Sequence, residues 1–190
     1  MTQDLKWKDG WAHAQQNLIK WWHNEGLALS ISDARRSEPF ADIPQPIPPD
    51  SIVDRWIDPG YRCAKAEYDM ANRLFPAETF PYFDTEIGPG SLGTFLGAQP
   101  NFSEETVWYE SCIADPEQYG AIAFETNDNH WWDVHLALIE QGVERADNRY
   151  LVGIPDLIEN IDTLHALRGD DLLYDLIDRP GWVHDRLREI

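Results

Sequence analysis

Cysteine is scarce in this chain. Cys63 and Cys112 are the only two in 190 residues, too few for a disulfide framework or a four-ligand zinc site. Positive charge is scarce too. Fifteen Lys and Arg stand against 34 Asp and Glu, a net charge of −19. No run of Lys or Arg along the sequence offsets it. Phosphate backbones and anionic membrane surfaces are repelled, so neither nucleic acid nor a membrane is an expected partner. Apolar runs are short, and none approaches the roughly 20 residues of a membrane span. The opening MTQDLKWKDGWAHAQQ lacks the apolar core of a signal peptide. These absences together predict a soluble, cytoplasmic protein. The phosphate-binding loop, the dinucleotide fingerprint and the serine nucleophile elbow are missing as well, and Gly88-Pro89-Gly90 with Gly93 matches none of them. There is no internal repeat and no low-complexity segment.

Core-forming residues are plentiful. The chain is 43% hydrophobic and holds nine Trp, which predicts a packed chain of one domain, residues 1–190. A helix is expected over 4–25, with Leu5, Trp11, Leu18, Ile19 and Trp22 near one stripe. Leu27 to Ser32 reads as a first strand. Ser30, Ser32 and Asp33 near its end face a pocket, or Asp33 caps the next turn. Five prolines between Ser37 and Pro49 mark a long loop. A helix then runs from Asp50 to Phe75, broken near Asp58-Pro59-Gly60, with Cys63 as a packed thiol. Thr106 to Ile113 is β-branched and aromatic, one half of an expected hairpin. Helices follow at 117–121 and 129–147. Arg149 to Ile154 reads as a strand, followed by helices at 158–167, 170–177 and from Trp182. His130 and His135 are five apart, which is not the spacing of a helical zinc pair.

The stretch from Thr79 to Gly97 carries the chemistry. Phe80 to Phe83 reads as a buried strand, Asp84 and Glu86 follow at once, and Gly88-Pro89-Gly90 turns the chain. In α/β folds, ligands bind where strands end in this way. Asp156 follows the later strand in the same manner. The alternative is that Asp84 caps a turn.

Three segments carry a family resemblance: FDTEIGPGSLG at 83–93, YLVGIPDL at 150–157 and DTLHALRGDDLLYDLIDRPGWV at 162–183. They resemble the N-terminal half of the uroporphyrinogen decarboxylase-like superfamily, closer to its uncharacterised branch. The resemblance implies an α/β fold: the N-terminal half of a (β/α)8 TIM-type barrel, with an extra N-terminal helix and a β excursion after the second strand. It places the site at the C-terminal ends of the strands. It implies Asp84 as the catalytic carboxylate, stabilising a cationic intermediate while carbon dioxide is lost. Ser32, Arg35, Arg36, Phe83, Glu86 and Asp156 are the implied substrate-binding residues, and the substrate is a tetrapyrrole or corrinoid-type small molecule.

The sequence also departs from the family. The arginine-rich segment that binds substrate carboxylates is matched loosely, by Arg35 and Arg36 in Ser30 to Arg36. Asp156 holds a position that is tryptophan in the family. No cofactor is expected, and zinc would belong to a C-terminal half. Alternatives are a corrinoid-linked methyltransferase-like protein and a non-catalytic half-barrel binding module. A half barrel leaves two sheet edges open. It is therefore expected either as part of a longer protein or as two copies pairing into a homodimer.

Overall fold

The computed structural model describes residues 4–32, 34–157 and 160–190. The described elements, in chain order, are α1 (Trp11–Trp22), α2 (Ile52–Ile57), α3 (Pro59–Ala71), β1 (Tyr82–Phe83), α4 (Ser91–Phe95), β2 (Gln99–Phe102), β3 (Val107–Glu110), α5 (His130–Ala146), β4 (Leu151–Val152), α6 (Asn160–Arg168), α7 (Leu172–Asp178) and α8 (Pro180–Glu189). They fall into two compact units. The first holds Met1–Pro49, Asp58–Thr85 and Leu138–Gly153, and the second Asp50–Ile57, Glu86–Ala137 and Ile154–Ile190.

The expected half barrel is not there. Among the described residues the strands form two separate two-stranded sheets, β1 with β4 in parallel and β2 with β3 antiparallel. The expected first strand fails because of contacts with residues far along the chain. Residues 27–32 take part in no strand ladder. The Leu29 amide donates to the Glu78 carboxylate at 2.8 Å, and the Ile31 amide to Thr79 Oγ1 at 2.7 Å. Side-chain acceptors thus occupy amides that a sheet ladder would use.

In the first unit, α1 starts later than the sequence suggests because Gly10, at φ 70°, turns the chain just before it. The expected stripe divides accordingly. Leu5 lies ahead of the helix and is buried along with Trp7, Ala14 is the buried residue of α1 itself, and Ile19 and Trp22 are exposed. The helix expected over 50–75 is α2 and α3, divided at the expected break near Asp58-Pro59-Gly60 and ending at Ala71; the Asp58 carboxylate caps α3 by accepting from the Tyr61 amide at 2.6 Å. Its buried face is Cys63, Glu67, Met70 and Ala71. Phe83 of β1 is buried, and Gly142 of α5 lets the helix approach it: a Cβ there would lie 2.6 Å from Phe83 Cδ1.

In the second unit, β2 and β3 form the hairpin in the register Gln99↔Glu110 to Phe102↔Val107. A core of Ala98, Ile113, Ile122, Leu164, Leu167, Leu172 and Val183 lies beneath α6, α7 and α8. Buried Asp175 ties these helices, accepting from Arg168 Nε at 2.7 Å and Arg179 Nη1 at 2.8 Å. Arg168 also donates to the carbonyls of Ile113 and Ala114. The third resembling segment therefore does structural work through its charged residues. The helix expected at 117–121 is a turn, where Asp115 Oδ1 accepts from the Glu117 amide at 3.0 Å. The helix expected at 158–167 is α6 from Asn160; Ile158 lies outside the described residues.

Candidate ligand face at the end of strand β1

Successive side chains of a strand point to opposite sides. Around β1, Pro81, Phe83 and Thr85 are buried while Tyr82 and Asp84 are exposed. Tyr82 pairs in register with Leu151 of β4, also exposed. Tyr82, Asp84 and Leu151 therefore share one open face of the parallel pair. Two contacts fix the strand end. Thr85 Oγ1 donates to the Gly153 carbonyl at 3.1 Å, and the Gly153 amide donates to the Phe83 carbonyl at 2.8 Å. Gly153 has little room for a side chain, since a Cβ would lie 3.2 Å from the Phe83 carbonyl oxygen. The Asp84 carbonyl accepts from Arg62 Nη2 of α3 at 2.9 Å. Toward the start of β1 the same face borders an apolar cavity of about 310 Å³, lined in part by Leu18, Trp21, Leu29, Phe80 and Tyr82.

The other implied site residues fall elsewhere. Phe83 faces the core, and its neighbour Tyr82 is the aromatic residue on the open face. Ser32 is exposed, and Asp33 lies outside the described residues. In the second unit, Glu86 and Asp156 come together: Glu86 Oε1 accepts from the Asp156 amide at 3.2 Å, which ties the chain beyond β4. Arg35 and Arg36 do not join Asp84. They line a cavity of about 570 Å³ with Lys65, Tyr68, Asp69, Asn72 and Arg73, around the C-terminal end of α3. Arg62, on the Asp84 carbonyl, sits in the first turn of that helix. From Arg62 to Asn72 is about 15 Å along a helix axis.

Lys65 and Arg73 were not singled out from the sequence. A signal existed, because Arg62, Lys65, Asp69 and Asn72 recur at three- and four-residue steps and so share a helix face.

Several displaced titrations of the first unit gather round Glu67. Burial alone would push this carboxyl up. Donors from Arg145, at 2.6 and 3.2 Å, Tyr150 at 2.9 Å and Arg149 at 2.9 Å outweigh that and hold it below the usual range. The buried Cys63 thiol is pushed up to about 11, chiefly by desolvation. Tyr150 is pushed up by burial and by the nearby Glu67 charge. This cluster is packed inside, with Glu67 4% exposed, and offers no open face to a substrate.

Among the described residues no group of three or more His, Cys, Asp and Glu is placed to hold a metal ion. His135 is buried edge-on to Phe95, with Nδ1 2.8 Å from the Trp131 carbonyl. No described helix is long and apolar enough to cross a membrane. No family model, no curated protein and no solved structure matches the chain.

Proposed function

We propose that this chain is uroporphyrinogen decarboxylase-like and carries carboxyl-lyase-type chemistry on a tetrapyrrole or related substrate, centred on Asp84. The observation that supports this reading is the open face shared by Tyr82, Leu151 and Asp84. The faces of individual pyrrole rings match a platform of one aromatic and one aliphatic side chain. The carboxylate stands at the end of that platform, where the chemistry needs negative charge.

The step proceeds as follows. A proton adds to a pyrrole carbon and the ring becomes cationic. The bond from the side chain to its carboxylate then breaks. Its electron pair neutralises the ring and leaves an exocyclic carbon–carbon double bond as carbon dioxide departs; a second proton then adds to the exocyclic carbon, and the first proton leaves the ring carbon to restore the pyrrole. Asp84 lowers the barrier by lying close to the cation. It is exposed in the free chain. A bound macrocycle excludes water from one side of it, and the attraction strengthens as the local dielectric falls.

Uroporphyrin titrated into the full chain, followed by tryptophan fluorescence, tests the placement. Tyr82→Ala and Leu151→Glu are both surface changes, and each is expected to weaken binding about tenfold or more. Unchanged affinity in both variants contradicts the placement.

A further inference from the structure

The cavity around the C-terminal end of α3 is lined by four cations, Arg35, Arg36, Lys65 and Arg73. Among the described residues its only lining carboxylate is Asp69. In a chain of net charge −19 this is a concentration of positive charge that the linear sequence does not show. The fold creates it by laying residues 34–40 alongside the end of α3. The Leu74 amide donates to the Ala34 carbonyl at 2.8 Å, the Arg36 amide to the Asn72 carbonyl at 3.1 Å, and the Phe40 amide to the Ala71 carbonyl at 2.9 Å.

Within this pairing, Arg35 and Arg73 are direct partners in an antiparallel bridge. Side chains directly opposite on antiparallel chains lie on one face, and like charges there are destabilising. Arg36 is held in place beside them. Its guanidinium lies 3.7 Å over the Phe40 ring, and its Nε donates to the Glu38 carbonyl at 2.9 Å. Its guanidinium also lies 3.7 Å from the largely exposed Asp9 carboxylate. Lys65 is paired with Asp69.

We infer that this cavity is a binding site for a small oxyanion carrying two or more negative charges, a phosphate group or a polycarboxylate. Guanidinium groups bind both chemistries by paired N–H···O bonds. A small anion fits the remaining charge pattern. A long phosphate backbone would meet the acidic remainder of the surface. The site is distinct from the Asp84 face and does not depend on the lyase reading. Arg62, which bonds the Asp84 carbonyl, does not line the cavity, and the cavity shares no lining residue with the face formed by Tyr82, Asp84 and Leu151.

The test is calorimetric titration of the full chain with inorganic phosphate and, separately, with citrate, against chloride at matched ionic strength. Thermal unfolding is followed in the same buffers. At least one of the two anions is expected to bind at one site per chain and to raise the unfolding temperature, and the arm that binds names the ligand class. Arg35→Gln, on an exposed side chain, is expected to weaken that binding tenfold or more. Arg35→Lys recovers part of the affinity. Asp84→Asn leaves it unchanged. The inference is overturned if neither anion binds, if chloride does as much, if Arg35→Gln binds as wild type, or if Asp84→Asn weakens binding as much as Arg35→Gln.

Discussion

Tyr82 and Leu151 face each other across the parallel pair of β1 and β4, and both remain exposed, at 54% and 39%. Their neighbour Phe83 is 1% exposed, so the pair has one covered side and one open side. Parallel strands are ordinarily covered on both faces. An uncovered apolar pair leading directly to Asp84 is the feature on which the functional reading rests.

Glu67 is the structural keystone of the first unit. It accepts from Arg145, Arg149 and Tyr150 while only 4% exposed itself. Replacing it with Ala leaves two arginines beside an apolar gap. Breaking a buried pair by removing one partner costs about 3–5 kcal/mol. Both guanidinium groups keep some contact with water, so the lower end, about 3 kcal/mol, is expected. A reduced urea midpoint for Glu67→Ala checks it, and a midpoint equal to wild type contradicts it.

The pH dependence of stability follows from Glu67 and Asp175. Burial would raise the Asp175 carboxyl, but Arg168 and Arg179 hold it below the usual range, as Arg145 and Tyr150 do for Glu67. A carboxyl depressed in the folded state contributes stability that is complete above its unfolded value, about 4. That contribution is lost as pH falls through the folded value. The urea midpoint is expected to hold steady from pH 7 to 5 on account of these two groups and to drop below about pH 4. Asp175→Asn is expected to be less stable at pH 7 and to show a shallower acid limb.

Gly142 tests the packing of α5 on β1. An Ala at a helix interior gains about 0.5–1 kcal/mol over Gly. Here its Cβ would stand 2.6 Å from Phe83 Cδ1 and 3.3 Å from Val152 Cγ1. Overpacking of this kind costs about 1–3 kcal/mol, and buried Phe83 has little space to retreat. Gly142→Ala is therefore expected to destabilise by about 1 kcal/mol net, seen in urea unfolding, and a stabilised variant contradicts the close approach.

Local signals were legible and non-local ones were not. Asp58-Pro59 marks the start of α3 because a cap and a helix-compatible proline act within four residues. The Val107–Glu110 strand shows in its own composition, whereas its partner Gln99–Phe102, with Pro100 at its centre, does not. The half barrel was what the family resemblance implied, and it needed a first strand at residues 27–32. That inference failed at residues 27–32, where Glu78 and Thr79, nearly fifty residues away, supply side-chain bonds in place of a ladder. Asp84 was singled out because strand and turn signals adjoin it in sequence. The cation cavity was missed because the bridge that brings Arg35 to Arg73 is non-local, although the helical spacing of Lys65, Asp69 and Asn72 along α3 and its C-cap was there to be read.

The most direct test of the central claim is release of carbon dioxide from uroporphyrinogen, kept reduced, by the full chain and by Asp84→Asn. The account predicts release by the wild type and a loss of about a hundredfold or more in the variant, the scale seen when one preorganised electrostatic group is removed, with binding retained. Equal rates in the two proteins, or no release from wild-type chain that binds the substrate, would contradict it.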